Sequence, residues 1–477
     1  MNNKKENIRL LVSLGIAGVM VAGILFIVGR FSSSISKNAM YDPPSPLLPN
    51  SPFPEGVSLG AKILVTADKT ADKEAGVQAF ASNDFATAVT KFQSSLQSNR
   101  NDPESLIYLN NAKIAKSQVL KVAVIAPIGL TLNEAKELLR GVAQAQDEVN
   151  NSGGIKGLPL AIQIASVDKF DKIKELDDQF VKDSSLVAVV GFGRDEKIYN
   201  DKGLVRISPG SPTTQSRQDQ TQSGQTRYVF YASPDRDNFT QAIAEYIVKK
   251  ERRTNVAICL DSAQAERSQA IKKQYADFIA KAGGKVTDTE CNLSAQNFRA
   301  SDFITKAITD GAEALLLNPR PDKIDAAIDV ARENKGRLAL FGSQQMYGEK
   351  LLKFGQGDVK GIVLPVPWHQ NANNNAGGNN SFGDKAIKLW GGQVSPRTAI
   401  AYDAMQVIIA GLKEGITRQS LQKALSNPNF SATGATGKIQ FSPSGQRQGG
   451  VFLVKVEPCE SSQSCSSSTG YNFVLVQ

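Results

Sequence analysis

Histidine is nearly missing. The 477 residues contain one, His369, alongside two tryptophans, four cysteines and five methionines. A Ser-His-Asp arrangement would have to use His369, which ends Pro367-Trp368-His369 ahead of an Asn- and Gly-rich loop at 371–380, so a core or surface histidine is the simpler reading. Zinc needs close Cys/His spacing, and one histidine among scattered cysteines gives no metal site. Nucleotide loops are missing as well. Gly191-Phe-Gly193 has Glu196 where a dinucleotide loop needs its third glycine, and Gly434-Ala-Thr-Gly-Lys-Ile439 lacks the first glycine and the closing Ser/Thr of a phosphate loop. No cofactor is implied, and the chain is not expected to be an enzyme. Its net charge of +9 arises from 55 basic residues spread among 46 acids, without a basic stripe interleaved with aromatics, so nucleic acid is not an expected partner.

Long apolar runs are equally scarce, with one exception. Leu10 to Gly29 is apolar or small throughout and is bounded by Arg9 and Arg30. As a helix it would span about 30 Å, enough to cross a bilayer. A secretory signal has a shorter apolar region and a small-x-small cleavage site, whereas Arg30-Phe31-Ser32 follows here. No cysteine stands just after the run to carry a lipid. Residues 1–31 are therefore read as a cytoplasmic tip and an uncleaved anchor. Lys4, Lys5 and Arg9 favour a cytoplasmic N-terminus, which puts the bulk of a single-pass cell-membrane protein in the periplasm or extracytoplasmic space. Residues 32–60, with Pro43, Pro44, Pro46, Pro49, Pro52 and Pro54, read as a semi-rigid linker.

Cys459 and Cys465 flank a Ser-rich loop, and a disulfide between them suits an oxidising compartment. Cys259 and Cys291 fall on or near expected strands, where a pair and two buried thiols are equally good readings.

Residues 61–118 carry helical patterns. Ala71 to Ser82 is Ala-rich, Asn83-Asp84 turns, and Phe85 to Ser98 places Phe85, Ala88, Val89, Phe92 and Leu96 on one face. Asp102-Pro103-Glu104 caps a third helix running through Leu106, Leu109 and Ala112. This order, with small residues at Gly76 and Ala88, resembles a tetratricopeptide repeat plus one further helix. So short an array is expected to lean on the next domain or on a partner.

From Leu120 the period changes to strands alternating with helices, through Leu160–Ser166, Leu186–Gly191, Leu204–Ser208, Asn255–Asp261, Lys285–Cys291, Ala314–Asn318 and Leu338–Gly342. Parallel sheets covered on both faces follow, and the length suits two of them. Ligands in such sheets bind beyond the carboxyl ends of the strands. Those ends include Phe192–Arg194, Asp261–Gln264, Asn318–Arg320, Ser343–Tyr347 and Ser208–Thr214, where hydroxyls and free N–H groups are available to a carboxylate or another acceptor.

Val122-Ala-Val-Ile-Ala-Pro127 followed by the Gly141–Gly157 stretch resembles the opening of the type I periplasmic binding proteins, the branched-chain amino-acid receptor family. Ala188-Val-Val-Gly191, Ile207-Ser-Pro209, Arg397–Ala404 and Gly434–Phe441 follow in matching order. The resemblance covers roughly 120–456. It implies a two-lobed α/β fold over 119–477, with lobe 1 near 119–232 and 367–440 and lobe 2 near 233–366 and 441–477. It also implies a small polar solute in the cleft and delivery to ABC permease and ATPase subunits. The expected ligand-binding residues are Arg194, Ser208, Gly210, Ser211 and Thr213 from one lobe, and Asp261, Asn318, Arg320, Gln344 and Tyr347 from the other.

Departures matter. The segment Gly191–Tyr199 is shorter than in relatives. The aromatic and the acid that hold an amino acid's ammonium group have Ala265 and Ala295 as their nearest counterparts, while Arg194 and Arg320 add positive charge. Either the ligand differs, an anion being one option, or solute binding has been lost. In the latter case the chain would be a scaffold meeting cell-envelope proteins through its helical repeat, as in lipoprotein activators of cell-wall synthases.

Overall fold

In the computed structural model the described residues are 45–47, 55–193, 196–212, 226–261, 265–372, 381–459 and 469–476. The Leu10–Gly29 segment lies outside them, and among the described residues no helix is long and apolar enough to cross a membrane.

The chain builds a first sheet from β1 (Ser45–Pro46), β2 (Val57–Ser58), β3 (Gln118–Ala126), β4 (Leu160–Ser166), β5 (Leu186–Gly191), β6 (Val205–Ser208) and β7 (Val229–Pro234). It crosses to a second for β8 (Asn255–Leu260), β9 (Lys285–Val286), β10 (Ala314–Asn318), β11 (Ala339–Gly342) and β12 (Val363–Val366). It returns for β13 (Ala432–Gly434), β14 (Gly437–Phe441) and β15 (Gln446–Gln448), and ends in the second sheet with β16 (Phe452–Pro458) and β17 (Tyr471–Leu475). The first sheet runs β13-β14-β15-β7-β6-β5-β3-β4-β2 with β1 on β3, and the second β17-β16-β12-β11-β10-β8-β9. Pairing is parallel through both centres and antiparallel at the β13–β14 and β16–β17 edges. Central strands are mostly apolar on both faces because helices cover both, and every residue of β3 after Gln118 is buried, Lys121 included.

Close helix packing fixes the first lobe. The helices Leu132–Asn151 and Pro396–Glu414 cross at Gly141, where a Cβ would lie 2.3 Å from the Thr398 carbonyl oxygen and 2.6 Å from Tyr402 N. On the second helix Asp403 accepts from Ala435 N–H (2.6 Å) and pairs with Arg447 at 3.0 Å. These contacts tie the helix to the β13–β14 hairpin and to β15. Burial raises the Asp403 carboxyl, with Arg447 opposing the shift.

The N-terminal helices are Ala71–Ala81, Phe85–Ser98 and Pro103–Lys113, capped by the side chains of Thr70, Asp84 and Asp102. They are not a separate body. Val77, Phe80, Phe92 and Tyr108 share one core cluster with β3, β4 and the Leu132–Asn151 helix. A buried charge network fastens them internally. The Lys73 ammonium lies 2.8 Å from both Asp102 and Glu104, and Glu104 also accepts from Leu64 N, Val65 N and the Tyr108 hydroxyl. Removing one member of such a network strands the rest, at a cost of about 3–5 kcal/mol. Asn111 joins the third helix to the sheet: its Nδ2 donates to Leu59 O and Ile162 O, and its Oδ1 accepts from Ile162 N and Gln146 Nε2.

Several expectations are corrected. The presumed linker contributes β1 and β2, and Leu47, Val57 and Leu59 are fully buried, because short strands with alternate apolar residues fill open positions beside β3 and β4. Residues 446–448 belong to the first sheet rather than the second lobe. The strand expected over Lys285–Cys291 stops at Val286; beyond it Thr287 and Thr289 hydrogen-bond side chain to side chain, and Thr289 donates to Asp310. Cys259 and Cys291 are paired as a disulfide. Cys459 is disulfide-bonded too, and Cys465, expected to be its partner, lies outside the described residues.

Candidate functional site

The carboxyl ends of β8, β10 and β11 open on a cavity of about 220 Å³ in the second lobe, walled on the other side by the helices Arg236–Glu245 and Ala265–Ala282. Asp261, Asn318, Arg320 and Gln344 all line it. They sit there because each follows directly on a strand or ends one, where the chain must turn over the sheet edge.

Asp261 is the best-anchored of them. Its carboxylate accepts from the Ser294 hydroxyl and pairs with Arg320 Nε, while its own carbonyl accepts from Ser268 Oγ. Arg320 also reaches Asp322 at 2.9 Å. The Cys259–Cys291 bond and the pairing of Asn292 with Leu260 bring Ser294 to this place. The apolar part of the wall is Leu260, Phe239, Ile271 and Tyr275, with Pro365 from β12. Burial pushes the Tyr275 hydroxyl up to about 12, against the opposing pull of Arg236 and Thr240, so it remains a protonated donor at neutral pH.

The other expected residues are placed differently. Tyr347 is not on the cavity. A 3₁₀ turn at Gln344–Met346 carries it away to stack on Phe473, with ring centroids 4.1 Å apart. Ser208 is buried and accepts from Gly210 N–H at 3.3 Å, and Ser211 donates to the Pro234 carbonyl at 2.6 Å. The Ser208–Ser211 turn therefore braces β7 where the chain leaves the first lobe, and none of its four residues lines the cavity. Arg194 and Thr213 lie outside the described residues.

Sequence reasoning missed Arg236, Phe239 and Tyr275 on the cavity wall, and from the strand end Ser343–Tyr347 it chose Gln344 and Tyr347 but not Ser343. Those three are borne by helices, which a rule about strand ends does not see. It also missed Arg206, on β6, a guanidinium only 1% exposed, lying 4.7 Å over the Tyr199 ring and hard against Gly193.

A family model described as periplasmic binding protein matches residues 120–463. The chain belongs to that family. Solved structures agree on the fold. An ABC transporter substrate-binding protein from Sphaerobacter thermophilus superposes with a TM-score of 0.63 at 15% identity, covering 75% of this chain and 97% of its own. The branched-chain amino-acid transporter substrate-binding protein of Streptococcus pneumoniae, in complex with isoleucine, gives 0.60 at 16%, covering 75% and 100%. A solute-binding protein from Rhodopseudomonas palustris, in complex with p-hydroxybenzoic acid, gives 0.59 at 14%, covering 72% and 94%. A comparison with curated protein sequences gives no match. Periplasmic binding proteins hold solutes and are not enzymes. The N-terminal helices precede the matched region and are packed into the first lobe of this periplasmic binding protein.

Proposed function

We propose that the chain is the extracytoplasmic solute-binding component of an ABC-type transporter, taking a small polar ligand between its lobes and presenting it to permease and ATPase subunits. The observation that carries this is the cavity at the strand ends of the second lobe, bordered by the Arg236–Glu245 helix that begins just past the first crossing between sheets. Closure about the crossings would bring the Ser208–Ser211 turn over it. Leu10–Gly29 serves as the membrane anchor in this reading, and the helices of residues 71–113 are a tetratricopeptide-like addition. No observation favours a scaffold without a ligand.

Thermal denaturation of the full-length chain in detergent, with and without candidate solutes, tests the function. A ligand at a hundred times its Kd should stabilise the protein by about 2.7 kcal/mol. Trp368 stands in the second crossing and Trp390 in the first lobe, and these are the two tryptophans. Binding should therefore change a fluorescence signal that Trp368→Phe removes. No stabilisation by any member of a broad solute panel would overturn the proposal.

A further inference from the structure

Every charge on the cavity wall is already spoken for. Asp261 is the one carboxylate among the described residues lining it, and it is held by Arg320 and Ser294. Arg320 divides its guanidinium between Asp261 and Asp322. Arg236, the other cation, has partners of its own and stands between Asp235 and Asp237 in the chain. Among the described residues an ammonium group entering here would find no uncommitted carboxylate, and a carboxylate would have to compete with Asp261 for Arg320. Desolvating a ligand charge without a counter-ion costs several kcal/mol, so the wall selects against both.

What remains uncommitted is uncharged. The Ser343 hydroxyl is buried, with 5% of the residue exposed, and has no hydrogen-bond partner among the described residues. The carboxamides of Asn318 and Gln344 line the cavity, each with a donor and an acceptor end. Flat apolar surfaces from Phe239 and Tyr275 face the same space. Paired donor and acceptor groups beside flat walls complement the edge and face of a planar amide.

Resting on the solute-binding reading above, we propose that this cavity takes an uncharged planar solute of the amide class, such as a carboxamide, a ureide or a nucleobase, and not an amino acid or an aromatic acid. The solved relatives named above hold isoleucine and p-hydroxybenzoic acid, both charged at neutral pH, whereas Asp261 and Arg320 on this wall already pair with each other.

The test is calorimetry and thermal shift on the full-length chain in detergent with uracil, hypoxanthine, allantoin and N-methylurea, against leucine, glutamate and benzoate. At least one of the first group should bind and none of the second. Raising salt from low to high should change the affinity less than twofold, because no ion pair forms with the ligand. Ser343→Ala should weaken binding by roughly threefold to tenfold, the range for one neutral hydrogen bond. In Arg320→Gln the Asp261 carboxylate loses its counter-ion, and affinity for a small amine such as isobutylamine should appear. Binding of leucine, glutamate or benzoate by the unaltered chain would overturn the ligand class while leaving the solute-binding function intact. Binding by none of the seven compounds would sink the ligand class, and the function falls only if the broad panel also fails.

Discussion

His369 donates from Nε2 to the Phe473 carbonyl at 3.1 Å and accepts at Nδ1 from Asn371 N–H at 3.2 Å, so the hydrogen bonds require the neutral ring. Burial lowers its pKa from the ordinary 6.5, and the bond to Phe473 opposes that only in part. The sign follows from linkage: the unfolded chain takes up the proton first, so stability present above 6.5 is lost as pH falls through the depressed folded value. With no second histidine in the chain, the effect is separable. The melting temperature should fall between pH about 7 and 5, and His369→Gln should flatten that slope in urea or thermal melts. Equal slopes in the two proteins would refute the assignment. Of the residues expected at the site, those that strand ends position, Asp261, Asn318, Arg320 and Gln344, line one cavity. Nothing in the order Ser343–Tyr347 reveals that a 3₁₀ turn removes Tyr347 to Phe473 and leaves Ser343 buried in the wall.

Among the elements, the crossing of Leu132–Asn151 with Pro396–Glu414 has the least tolerance. The two nearest atoms a Gly141 side chain would meet are backbone atoms of Thr398 and Tyr402, and the next is the Ala401 Cβ, none of which can swing aside as a longer side chain can. Gly141→Ala should therefore cost at least the 1–3 kcal/mol typical of overpacking, although alanine is the better helix former by about 1 kcal/mol. Chemical denaturation gives the difference, and an unchanged or raised stability would show that the helices separate freely. The alternation of strands and helices from Leu120 onward was legible because apolar period and length both change there. Strands of two residues, such as β1 and β2, are too short to have a period. The third N-terminal helix was legible as a helix but not as a core element. Glu104, Asn110 and Asn111 look like surface residues, yet each is buried, and Glu104 and Asn111 have their hydrogen-bonding groups met by the chain around them.

For the molecule as a whole, the shared core of the helices of residues 71–113 with β3 and β4 has a measurable signature. In native-state hydrogen exchange, amides of Pro103–Lys113 should exchange with those of β3 and β4 as one cooperative unit. Earlier exchange of the helices would mean that they hang from the first lobe as an independent body. Their integration has a mechanical consequence. The chain that precedes Ser45 continues into the first lobe, through β1 on β3 and the helices behind it, and among the described residues the second lobe carries no such attachment. Under the proposed function, closure on a solute would leave the lobe that continues from Ser45 with its mooring and let the other make the swing, so a permease would meet a fixed face and a moving face that report whether the cargo is aboard.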